Sequence, residues 1–213
     1  MSKENAMFYG KWFSFLFWLM VLGNGMSLVF SMMFFDTASS FYWIGETLSV
    51  VVGIMYAQIL MKMSAHRSFY HKAGSFLLWA SVLSFVAFLF SSSNNFIEYS
   101  SLISLVGAVI AYLAQKEEFA AHEHLMLEAD VELAERWGAL WTWTMRLICV
   151  LMVNLLVAFM IPFLSLMISL LAAIAVVVLN IVKIMTLYKS SACMKKIGSQ
   201  EMTSSSQSDE NQL

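Results

Sequence analysis

From Leu147 to Val182 the chain carries no charged residue. As one helix this run would extend about 54 Å at 1.5 Å per residue, against a bilayer hydrocarbon core of about 30 Å. Pro162, the single proline of the chain, lies near its middle. Proline has no amide hydrogen to donate and crowds the preceding turn, so a helix ends or kinks there. The run therefore predicts two spanning helices, at about 139–160 and 163–182, joined by a very short turn.

Four further apolar stretches have spanning length: about 12–35, 41–61, 74–92 and 96–114. The chain is 60% hydrophobic and 12% charged, where a soluble domain has about 25% charged residues. So little charge cannot cover a globule of this size, and lipid removes the need to. The expected fold is all-α: a single membrane bundle of about six helices over residues 1–198. The Ser-, Gln- and acid-rich stretch 199–213 is expected to be a disordered tail. The first apolar run is longer than the 7–15 residues of a signal-peptide core and has no convincing cleavage site, so it reads as a retained span.

Lys and Arg set the orientation. Lys3 and Lys11 precede the first span, and Lys62, Arg67 and Lys72 separate the second from the third. Lys116 and Arg136 separate the fourth from the fifth, and Lys183, Lys189, Lys195 and Lys196 follow the sixth. The opposite connections, near 36–40, 93–95 and 161–162, contain neither residue. Both ends are thus expected in the cytoplasm, with the chain in the cell's plasma membrane. The remaining basic residue, Arg146, lies in the cytoplasmic half of the fifth span after Trp141 and Trp143, where a long side chain reaches the interface.

The segment 115–137 is the one sizeable polar element. It lacks Gly and Pro and is rich in Ala, Glu and Leu, which predicts an amphipathic cytoplasmic helix continuous with the fourth span. Phe119, His122, Met126, Ala129, Leu133 and Trp137 share its apolar side. Glu117, His124, Glu128, Glu132 and Glu135 form the other, and are the candidate surface for a protein partner. An acidic face suits anionic lipid poorly, so protein is the expected contact. One candidate is the basic loop His66, Arg67, His71 and Lys72, which reads otherwise as a topological signal or an anion site.

Catalytic and metal motifs fail on inspection. His122-Glu123-His124 lacks the second histidine of H-E-x-x-H, since that position is Met126, and its two histidines point apart on a helix. Glu117-Glu118 resembles the opening Glu pair of membrane-embedded CAAX-type proteases. The arginine of that family four positions on is His122 here, and no later histidine motif follows. The methionines of the first two spans read as packing residues rather than a soft-metal path. Cys149 and Cys193 make no disulfide framework. No basic stripe suggests nucleic acid. No enzyme, cofactor or metal is expected.

Polar groups within spans are costly and often functional. Asn24 lies between Gly23 and Gly25, a context that can pack helices or interrupt one. Asn154, Asn180 and Arg146 lie on the last two spans, and Glu46 and Glu98 near the outer ends of the second and fourth. Two functions follow. The first is a non-enzymatic membrane accessory or regulatory protein acting through its acidic cytoplasmic helix. The second is a small permease or channel-like transporter with a polar path lined by Asn24, Arg146, Asn154 and Asn180. A pair of small residues followed by lysine occurs twice (Gly53, Ala57, Lys62 and Gly107, Ala111, Lys116) and reads either as a repeated hairpin of parallel topology or as a chance coincidence of residues common in spans.

Reporter fusions test the orientation. Cytoplasmic signals are expected after residues 66 and 197 and an extracytoplasmic one after 94; an extracytoplasmic signal at 197 would defeat the six-span reading.

Overall fold

A computed structural model describes residues 1–33, 40–65, 67–91 and 96–210, with the side chains of 24, 26–33, 40–42, 97 and 200–210 outside that description. The described chain is all-α. Its helices are α1 (Lys3–Met33), α2 (Ser40–Met63), α3 (Phe69–Ser91), α4 (Ile97–Leu127), α5 (Val131–Met160) and α6 (Pro162–Glu210). Each of the six contains a stretch long and apolar enough to cross a bilayer. Most helices start or end several residues outside the stretches that hydropathy delimits, because polar end residues continue the helix beyond the apolar segment. Each helix packs along its neighbours in the chain, and α1 closes against α6. The six form a ring.

The α5–α6 reversal follows from Pro162. Ile161 leaves helical geometry (φ −139°, ψ 82°), and its N–H still closes the last turn of α5 on Val157 O at 2.8 Å. Pro162 then opens α6 as its first residue, where a missing N–H costs nothing. The Ser165 N–H bonds Ile161 O at 3.1 Å. Asn154 fastens the hairpin: its Nδ2 donates to Ser169 Oγ at 2.8 Å and to Ser165 O at 3.3 Å.

The segment 115–137 departs from the single helix expected for it. α4 stops at Leu127, and a turn at 128–130 sends the chain back into α5. Asp130 makes the break. Its backbone is extended (φ −160°, ψ 108°), and its carboxylate accepts the Leu133 N–H at 3.2 Å, capping α5. There is accordingly no separate amphipathic helix here; the segment is the end of α4 and the start of α5. At the other terminus, the α6 backbone remains helical to Glu210, into the stretch whose composition predicts disorder.

One end of the ring is tightly packed. The start of α1 lies along the last part of α6, where Ser191 Oγ donates to Gly10 O at 2.8 Å. Tyr9 Oη donates to Met63 O at 3.4 Å, tying α1 to the end of α2. Arg67, in the α2–α3 turn, pairs with Glu128 in the α4–α5 turn. The buried core gathers at this end, around Tyr9, Phe13, Leu60, Met63, Tyr70, Phe119, Met126, Trp137 and Leu187. The positions carrying the chain's Lys and Arg clusters lie there too.

The far end is different in kind. Phe159 is 85% exposed and Phe163 76%, in a helical hairpin lined with Leu, Ile, Val and Met. Apolar area on this scale is unfavourable in water. It is stable where lipid is the solvent, which makes the chain a multi-pass membrane protein.

Small residues allow the close helix contacts. A Cβ on Gly74 of α3 would lie 2.9 Å from Ala57 O and 3.0 Å from Met61 N, both backbone atoms of α2 that cannot swing aside. At Gly107 the nearest atoms are 3.5–4.0 Å away, in ordinary contact. Gly74→Ala is expected to destabilise the protein by about 1–3 kcal/mol through forced helix separation, and Gly107→Ala to be near neutral. Thermal unfolding of both variants in one detergent checks the contrast.

Candidate functional site

α4 carries Glu118 and His122 one turn apart, so both project to the same side, and that side is the middle of the ring. Glu118 is 3% exposed and His122 fully buried. α6 brings Lys183, whose Nζ lies 2.8 Å from Glu118 Oε1. α2 brings Tyr56, whose hydroxyl donates to the same oxygen at 2.5 Å. α3 brings Tyr70, with its hydroxyl 2.9 Å from His122 Nδ1. From α1, the Phe13 ring lies 5.0 Å from the His122 ring, and from α5 Trp137 lies 4.5 Å from it. All six helices meet at this cluster.

The chemistry is that of a compensated buried charge. An ionised carboxylate in an apolar interior needs a counter-charge and hydrogen bonds, and Lys183 and Tyr56 supply them. The ammonium also lies 5.1 Å from the Phe119 ring centre and 5.6 Å from that of Tyr56, within cation–π range. His122 Nε2 faces Glu118 Oε1 at 3.5 Å, close enough for attraction but not aligned as a hydrogen bond, so among the described residues this nitrogen has no hydrogen-bond partner. A carboxylate opposite Nε2 favours a proton on that nitrogen, which leaves Nδ1 to accept from Tyr70. Trp137 Nε1 donates to Ser190 Oγ at 3.2 Å, anchoring the indole beneath the histidine.

Among the described residues, cavities adjoin the bundle interior at two places. One of about 220 Å³ lies between α4, α5 and α6 and reaches Lys183; Gln115, Thr144 and Asn180 give it polar walls. The other, of about 320 Å³, lies between α2, α3 and α4 toward the far end. It is lined by Glu46 and by Ser84, Ser91, Ser100 and Ser104.

The chain matches no protein-family model, and no curated protein or solved structure is similar to it.

The residues singled out from sequence occupy separate settings. Asn180 borders the cavity beside Lys183, and Glu46 the serine-lined one. Asn154 is the α5–α6 fastener. Arg146 lies on the outside of α5 with its guanidinium 4.8 Å from the Trp143 ring. Glu98 is exposed in the first turn of α4. Asn24 lies within α1, and its side chain is outside the description. On the acidic side, Glu128 is taken up by Arg67, Glu132 pairs with Arg136 at 2.6 Å, and His124 stacks on Phe69 at 5.2 Å. Among the described residues, Glu117 and Glu135 make no ion pair.

Glu118, Lys183, Tyr56 and Tyr70 were not legible as a site. The available signal was Glu118 at i−4 from His122, on the apolar side of the helix, where a carboxylate requires a partner. Lys183 reads from sequence as a basic residue ending a span.

Removing one member of a buried pair leaves the other charge uncompensated, at a cost of about 3–5 kcal/mol. Glu118→Leu and Lys183→Met are each expected to lower stability on that scale. The double variant should recover more than half of the summed loss, as read by a double-mutant cycle in thermal unfolding. Strict additivity would show that the two groups are not coupled.

Proposed function

We propose that this chain is a plasma-membrane protein with its basic end and both termini in the cytoplasm, working as a non-enzymatic accessory or regulatory protein through that end. The observation that carries this reading is the closure of the ring at the basic end. Trp137, Tyr9, Phe13, Leu60 and Met63 are buried there around the Glu118–Lys183 pair, and packing of that kind suits a scaffold better than a conduit. The orientation rests on the placement of Lys and Arg. The contact surface narrows to Glu117, His124 and Glu135, since Glu128 and Glu132 are engaged by arginines of the same chain.

A small permease is the second reading. It is favoured by the polar cavity at Asn180 and Lys183 and by the serine-lined cavity at Glu46, which lie toward opposite ends of the bundle. Buried ionisable groups near such cavities are common in transport paths.

Two measurements separate the readings. Affinity purification from membranes should recover partners with the native chain and lose them with Glu117→Gln/Glu135→Gln; an unchanged set of proteins removes the main support for the accessory role. In a chain with Cys149 and Cys193 replaced by serine, Glu46→Cys and Asn180→Cys should resist a membrane-impermeant thiol reagent. Labelling of both, from opposite sides, together with solute flux in vesicles, would establish the permease instead.

A further inference from the structure

A groove of about 760 Å³ runs along the outer surface of α5 and α6. Its walls include Leu147, Val150, Val178 and Val182, and it also contains Arg136, Arg146 and Lys189. It follows α5 from Arg136 to Val150, about 21 Å at the helical rise. That is the depth of one leaflet with its interfacial zone, given a hydrocarbon core of about 30 Å for two. A groove of this size open to lipid fills with an acyl chain.

The cations decide what kind of lipid. Arg136 and Lys189 lie at the groove's basic end. Arg146 starts deeper, but its guanidinium sits over Trp143, one turn nearer that end, so its side chain reaches toward the same level. Arg136 is balanced by Glu132. Among the described residues, neither Arg146 nor Lys189 has an acidic partner. The groove thus presents two uncompensated cations above an apolar slot, a combination that complements a lipid phosphate with its chain below.

We propose that the α5–α6 groove is a binding site for an anionic phospholipid of the leaflet at the basic end. Its acyl chain lies along Leu147, Val150 and Val178, and its headgroup phosphate is held by Arg146 and Lys189. The proposal rests on the membrane reading of the chain, but not on the accessory role.

The test uses the full chain in nanodiscs of phosphatidylcholine carrying either phosphatidylglycerol or no anionic lipid. Lipid retained after detergent extraction is counted by native mass spectrometry, and thermal stability is measured in the discs. The native protein is expected to retain one phosphatidylglycerol with a preference over phosphatidylcholine of about 30-fold, the scale for two basic residues near an anionic headgroup. It should also melt higher in the anionic discs. Arg146→Gln/Lys189→Gln should abolish the preference while leaving the melting temperature in pure phosphatidylcholine unchanged. Ala175→Trp, which fills the groove and keeps both cations, should displace the lipid as well. Inorganic phosphate added to phosphatidylcholine discs should have no effect; stabilisation by phosphate alone would mean an anion site without a lipid. No preference in the native protein, or a preference that survives both variants, overturns the proposal. Discs present both lipids to both faces, so the outcome is independent of orientation, which the reporter fusions read separately.

Discussion

The structure depends on how the centre of a six-helix ring is filled. In this ring α2, α4 and α6 are not neighbours, since each helix packs beside those adjacent in the chain and α1 meets α6. They are joined across the middle by Tyr56, Glu118 and Lys183. The remaining three helices add Phe13, Tyr70 and Trp137 around His122. Long and aromatic side chains therefore do what direct helix contact does in a smaller bundle. The polar ones must also satisfy one another, because an unpaired polar group in a low-dielectric interior is costly.

From this centre the packing becomes uneven along the helices. The basic end holds the buried core, two short turns linked by Arg67 and Glu128, and the α1–α6 contact at Gly10 and Ser191. The far end of the α5–α6 hairpin has large apolar groups turned outward, held to each other chiefly by Asn154 and its two serine partners. Resistance to local opening follows buried contacts, so the basic end is the rigid part of the molecule. The outer part of the hairpin depends on the surrounding lipid.

Much of the fold was readable because it follows from length and chemistry over short distances. Pro162 and an apolar run too long for one crossing define α5 and α6, and the predicted apolar side is buried at Phe119, His122, Met126, Leu133 and Trp137, with Ala129 half-buried at the turn. The break at 128–130 was harder to see. It uses neither Gly nor Pro, only the cap formed by Asp130, and the surrounding residues are good helix formers. The central cluster was harder still, because its members come from helices far apart in the chain. Glu118 reads as half of a Glu pair whose motif goes no further, and Lys183 as an orientation signal, until α4 and α6 are brought together. The basic loop did hint at one contact, and Arg67 meets Glu128 as charge alone would suggest.

A buried ion pair adds little net stability over an apolar filling of the same shape. Its effect on alternatives is larger. Sliding α6 by one turn, about 5.4 Å, would bring Leu179 or Leu187 to the level of Glu118 and bury the carboxylate without its counter-charge. A leucine in place of Glu118 would accept those registers at small cost, because apolar contact is not directional. The same reasoning covers rotation of α2, which would withdraw the Tyr56 hydroxyl from Glu118. In a bundle whose helices are apolar on nearly every side, hydrophobic pattern discriminates weakly among registers. One carboxylate that tolerates only one set of neighbours supplies the discrimination that the apolar surfaces lack.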